Sequence, residues 1–471
     1  MSQTSSKPKI FEDSQEPYFG LKHKLNRVFE NGTIAAAVMV IAAVAAVICA
    51  NTSLYDPIYE FLEEPVYIGI GNLGFSMTFE AFVNDFLMAI FFLSVGIELK
   101  YEMTVGQLKQ PKQALLPMMA AVGGVIAPAT IYAVVNRGGA INGWAIPMAT
   151  DIAFALGVLS LLGDRVPGGV RVFFSTLAIA DDLISIVAIA LFYGESPDLA
   201  WLLAAAAVTA VLALLNHRQV FRQWPYLTLG LVLWFCVYQS GIHATLAGVI
   251  LAFTIPGKSN VRTDNLTEWL NKTIPQIDEV YDETEPVLKQ EEFTEEAEHV
   301  ENVLHLVTPP LVRLERKISP WVNFIILPIF AFVNAQVRLV GVDLVELVTN
   351  PVTLGTYFGM LLGKPIGIVG MTFLLVRTGI CELPERVEWK HIIGVGILGG
   401  IGFTMSILIS GLAFTGSAAA TNLLSAKAAI LAGSVSAAVI GLIYMSIVCK
   451  DAPAEEGPAA EELPAEEPAA E

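Results

Sequence analysis

Twelve apolar stretches, each at or near bilayer-spanning length, dominate what this chain can fold into. They run at about 33–50, 81–99, 114–136, 143–162, 170–193, 199–215, 226–239, 242–255, 320–337, 353–376, 391–414 and 427–448. In lipid, every backbone N–H and C=O must find its partner within the protein, so each stretch is expected to be a helix. The two pieces flanking residues 240–242 are short, but joined they would be too long for one crossing. Composition agrees, since 54% of the 471 residues are hydrophobic and 15% charged, too few charges to cover a soluble protein of this size. The expected fold is an all-α polytopic membrane protein with about twelve transmembrane helices, surrounded by membrane lipid and with no nucleic-acid partner.

Orientation follows from the 27 Lys and Arg residues. With the N-terminus in the cytoplasm, all but four fall in the N-terminal arm, the even-numbered loops or the C-terminal end. Arg137, Arg338 and Lys427 lie on or near the outside, and Lys364 lies within the membrane. The first outer loop, 51–80, has no basic residue. Both termini are therefore predicted to be cytoplasmic, with an arm at 1–32, a transmembrane domain at 33–450 and a tail at 451–471. The first apolar run ends in VICANTS, faintly like a signal-peptide end, but its length favours a retained helix.

The net charge of −18 says little about partners, because 21 of the 45 acidic residues lie in the loop 257–308 and the tail. Without these segments the chain carries 24 acidic and 23 basic residues. The loop reads as a solvated spacer, and the Ala-, Glu- and Pro-rich tail cannot build a core. Cys49, Cys236, Cys381 and Cys449 are isolated and lack metal-ligand or redox spacing. No cofactor is expected.

Four ionisable residues lie deep in the predicted spans: Asp151, Asp181, Asp182 and Lys364. Each costs roughly 2.5–3.5 kcal/mol at the bilayer centre, so they must converge. Consecutive residues on a helix point about 100° apart, and Asp181 and Asp182 cannot share one direction. The simplest arrangement has one aspartate lining an aqueous site and the other paired with Lys364. A buried carboxylate can hold a proton or, ionised, a hard cation, but not both. Competition at one site that opens alternately to either side suffices for exchange. The bland reading, in which the charges only hold helices together, is the weaker one.

Two spans carry features that disfavour regular helix. Pro147 and the polar Thr150–Asp151 interrupt span 4, and glycines 394, 396, 399, 400 and 402 precede Thr404 in span 11. Such backbone is tolerated at membrane depth only inside protein or against water. Spans 4 and 11 run in opposite directions, so spans 3–5 and 10–12 would form inverted repeats. Asp151 is then expected to offset the positive half-helix ends, and Lys364 the negative ones.

Six segments in order carry a family resemblance: NDFLMAIFFLSVGIELK (84–100), GWAIPMATDIAFALGVLSLLGDRVP (143–167), LAIADDL (177–183), SGIHATLAGVILAF (240–253), GKPIGI (363–368) and VGILGGIGFTMSI (395–407). The chain resembles NhaA-type sodium/proton antiporters over about 20–450, a family already known for inverted repeats and midplane sites. The resemblance implies electrogenic export of Na⁺, or Li⁺, against H⁺ across a bacterial inner membrane, regulated by pH. Asp182 would be the principal cation ligand, with Asp181 pairing with Lys364 or releasing the second proton. Thr150 and Asp151 would mark the crossing of two unwound segments, opposite Gly399, Gly400, Gly402, Phe403, Thr404 and Met405. Glu98 and Glu315 match acidic positions linked to pH activation, and His243 matches a histidine linked to pH response. The 51–80 loop resembles the family's outer β-hairpin and implies a homodimer. Departures are Ala180 and Ile184 beside the aspartates, where Ile and Gly are common, and the longer acidic loop.

Two rival functions remain. An intramembrane aspartyl protease also needs two membrane aspartates, but these lack its usual G-x-G-D setting and Lys364 would be idle. A cation channel would pass ions down their own gradient, uncoupled from protons.

Overall fold

The computed structural model describes residues 32–450, apart from 71–72, 107–108, 110, 195–196, 260, 262–264, 283, 385 and 416–418. Helix α1 (Gly32–Ala50) and the short α2 (Tyr55–Glu63) lead into an antiparallel hairpin of β1 (Pro65–Ile70) and β2 (Leu73–Thr78). Its register runs from Pro65 opposite Thr78 to Ile70 opposite Leu73. The rest is helical: α3 (Phe79–Thr104), α4 (Pro111–Val135), a 3-10 helix (Ile141–Met148) followed by α5 (Ile152–Ser160), α6 (Gly168–Phe192), α7 (Leu199–His217), α8 (Trp224–Gln239) and α9 (Leu246–Thr254). Next come α10 (Leu266–Val280), α11 (Glu291–Val307), α12 (Pro310–Asn334), α13 (Leu344–Thr349), α14 (Pro351–Arg377), α15 (Trp389–Leu398), α16 (Phe403–Ala413) and α17 (Ala420–Val448).

Among the described residues, nine helical segments are long and apolar enough to cross a membrane, and the pair α15–α16, bent by 48°, makes a tenth. The chain is therefore an integral membrane protein. The difference from the expected twelve lies in α8 and α9, which span 16 and 9 residues. At 1.5 Å per residue they reach about 24 and 14 Å, short of a 30 Å hydrocarbon layer. The chain does divide at 240–242, with Gly241 in the left-handed region (φ +79°) at the turn between them.

Close backbone contact holds the carboxylate-bearing half together. A Cβ on Gly367 of α14 would sit 2.0 Å from the carbonyl oxygen of Gly123 in α4. Only glycine lets these helices approach so far, as expected where lipid supplies no hydrophobic drive and packing must come from contact. One turn earlier, α14 loosens into a π-helical stretch, Gly359–Gly363, against Pro128 and Pro147. That stretch ends where Lys364 begins, so the packing of α4 against α14 fixes the lysine's height.

The acidic segment 257–308, read as a spacer, contains the helices α10 and α11. They pack on each other through Trp269 against His299 (ring centroids 5.8 Å apart) and Tyr281 against Phe293 (5.1 Å).

Candidate functional site

The two interrupted spans cross. Regular structure stops at Met148 and resumes at Ile152 in one, and stops at Leu398 and resumes at Phe403 in the other. Each break frees backbone donors and acceptors that cannot reach water, and the partner span supplies what is missing. The Asp151 N–H donates to the Ile401 carbonyl (2.7 Å), the Thr150 hydroxyl to the Gly399 carbonyl (2.9 Å) and the Ser406 hydroxyl to the Ile146 carbonyl (2.7 Å). A Cβ on Gly402 would lie 2.6 Å from the Ala149 carbonyl oxygen, and one on Gly400 as close to that of Met360. Both glycines are thus required by close approach. Phe403 and Met405 turn into the buried apolar cluster and contribute packing.

Asp151 sits at the start of α5 and serves both half-helices. Its Oδ1 accepts from the Phe154 N–H (3.0 Å), capping α5. Its Oδ2 accepts from the Thr404 N–H (3.0 Å) and hydroxyl (2.7 Å) at the first turn of α16. One carboxylate therefore neutralises two positive helix ends. Lys364 does not play the mirror role. The carbonyl ends are met by Thr150, Ser406 and the Asp151 N–H, while the Lys364 ammonium bonds the Asp181 carboxylate at 2.6 Å, with both side chains fully buried.

Asp182 is different. It is as buried as Asp181, yet its side chain accepts no hydrogen bond among the described residues. The charged groups near enough to act on it are Asp181, Asp151, Glu98 and Lys364. Ser185, three residues on along α6 and so on the same side of the helix, also has a buried hydroxyl without a partner. The structure thus gathers Thr150, Asp151, Asp181, Asp182 and Lys364, with the crossing residues Gly399 and Thr404. Glu98 and Glu315 are neighbours of each other, apart from this cluster but with Glu98 within electrostatic reach of Asp182. His243 stands at the other end, where its Nε2 donates to the Tyr193 carbonyl at the end of α6 (2.9 Å).

Sequence reasoning passed over Ser406, Ser185 and Asp85. The serines had no signal beyond their spacing from Thr404 and Asp182. Asp85 lies near the start of a span and reads as a solvated helix end, but it lines a cavity of about 330 Å³ together with His243.

The profile of a family described as Na+/H+ antiporter 1 matches residues 26–445. The Na(+)/H(+) antiporter NhaA of Proteus mirabilis is 45% identical over 412 residues, covering 87% of this chain and 93% of that protein. The one from Oleidesulfovibrio alaskensis is 40% identical over 436 residues, covering 92% and 96%. Among solved structures, the sodium proton antiporter MjNhaP1 from Methanocaldococcus jannaschii gives a TM-score of 0.49 at 14% identity, covering 93% of this chain and 98% of that one. With a profile match across nearly the whole transmembrane region and relatives this similar over most of their length, the chain belongs to the Na+/H+ antiporter 1 family.

Proposed function

We propose that this protein is a secondary transporter, not an enzyme, that exchanges Na⁺ or Li⁺ for H⁺ by alternating access, with both ions competing for Asp182. The family membership and the names of its relatives support antiport. One observation about the site carries the choice of residue. Of the three buried carboxylates, Asp181 is neutralised by Lys364 and Asp151 by two helix ends, which leaves Asp182 with no partner. An ionised carboxylate left so at membrane depth costs several kcal/mol, and a proton or a small hard cation removes that cost.

The proposed cycle follows from this imbalance. Ionised Asp182 binds Na⁺, with the Ser185 hydroxyl available as a further oxygen donor. Protonation discharges the carboxylate and releases the ion. The helices α4, α5, α6, α14, α15, α16 and α17 move as one body against the others, so that the site faces each side in turn. Asp181 and Lys364 carry the second proton of an electrogenic cycle. Glu98 and Glu315, two neighbouring acids, respond to cytoplasmic pH, and His243 responds at the far end. The hairpin of β1 and β2 lies outside and joins two copies. Both termini lie in the cytoplasm, and the host membrane is a bacterial inner membrane.

The test is transport in proteoliposomes with imposed pH, Na⁺ and voltage gradients. A Na⁺ gradient should drive protons the opposite way, with a rate that responds to voltage. Sodium flux indifferent to the proton gradient would mean a channel instead.

A further inference from the structure

The cavity beside His243 lies between two sets of helices. Glu80 and Asp85 reach it from α3, Lys427 from α17, and Ile407 and Leu408 of α16 lie on its wall, one turn from Thr404. The helices α16 and α17 belong to the body proposed to move, and α3 to the remainder. Among the described residues, none of the three charged side chains makes a hydrogen bond or a direct ion pair, although Lys427 feels the charge of Glu80. The polar neighbours do not fill the gap, because Asn334 donates to Asn84 (2.7 Å). Two acids and one lysine thus share a cavity of about 330 Å³ with their charges unmatched by contact.

Lys427 is also one of the few cations that the charge distribution leaves on the outer side. An acid-lined recess accounts for its toleration there and gives it a competitor, since an entering Na⁺ and the ammonium would need the same carboxylates. We propose that Lys427 is a gating charge at the outer mouth: a tethered cation that competes with incoming Na⁺ for Glu80 and Asp85, favouring release on that side over rebinding. This rests on the antiport reading and on the outward placement of the hairpin end. It predicts an asymmetry between the two faces that the central site alone does not produce.

The experiment measures the apparent KM for Na⁺ from each face, using right-side-out and everted membrane vesicles that contain the full chain. Lys427→Met should lower the outer-face KM about three- to tenfold, as expected for removing one charge from a partly wet cavity. The inner-face value should stay within about twofold, and Lys427→Arg should restore the wild-type outer value. Glu80→Gln should move the outer KM the opposite way and decides the matter if Lys427→Met does not fold. An outer KM unchanged in a folded, exchanging variant, or equal shifts on both faces, would overturn the proposal. Absence of exchange in the wild-type protein would instead overturn the antiport reading beneath it.

Discussion

At the scale of single residues, the protein's chemistry comes down to what each buried charge touches. Asp181 and Lys364 form a fully buried pair at 2.6 Å. Removing one member of such a pair costs about 3–5 kcal/mol, because the other charge is stranded. Lys364→Ala should therefore lower thermal stability in detergent markedly, and an unchanged melting midpoint would show that the pair does not matter to the fold. Asp182→Asn keeps the shape but removes the titratable carboxylate, so sodium-driven proton movement in proteoliposomes should fall to background. Full exchange in that variant would assign the ion to another residue. The presence of these charges was plain in the sequence, since a carboxylate pair inside LAIADDLISI has no bland place in lipid. Which aspartate takes the lysine was not plain, because adjacent helical residues differ only in direction, and direction depends on where α14 packs. Asp151 capping two helices at once was equally invisible, since it requires the crossing itself.

Elements show where sequence and packing meet. The two breaks were legible because Pro147 and the run of glycines before Thr404 weaken helix locally. The hydrogen bonds that cross between them were not, because they join residues some 250 positions apart. The crossing makes a sharp demand on Gly402, where an added Cβ would meet Ser406 Oγ at 2.5 Å and the Ala149 carbonyl at 2.6 Å. Gly402→Val should reduce exchange at least tenfold and destabilise the protein. Gly370→Ala in α14 faces open space and should be neutral or slightly stabilising, since alanine is the better helix former. Equal effects of the two substitutions, measured as exchange rate and melting midpoint, would remove the close-approach argument.

For the whole molecule, the apolar pattern disclosed a polytopic helical bundle, and the resemblance of the 51–80 loop to an outer β-hairpin anticipated the pairing of β1 with β2. Helix count was less legible. The chain between Trp224 and Thr254 is apolar nearly throughout, and hydropathy does not report that a turn at Gly241 divides it into helices of 16 and 9 residues. Charge likewise masked α10 and α11, whose apolar and aromatic residues recur at helical spacing among many acids and pair across the two helices. Exposed aromatic surface at the hairpin end, with Tyr67 at 62% and Phe61 at 59%, suits contact with a second copy. Deleting residues 65–78 should convert a dimer to a monomer by mass measurement in mild detergent while leaving exchange in place, and a persistent dimer would put the interface elsewhere.

The central claim is that H⁺ and Na⁺ exclude one another at Asp182, and calorimetric titration of the purified protein with Na⁺ over a range of pH tests it most directly. Where the site holds a proton, each unit fall in pH should weaken apparent Na⁺ affinity at least tenfold, with at least one proton released per ion bound, and Asp182→Asn should bind no Na⁺ at any pH. Sodium binding of constant affinity across that range, with no proton released, would contradict the account.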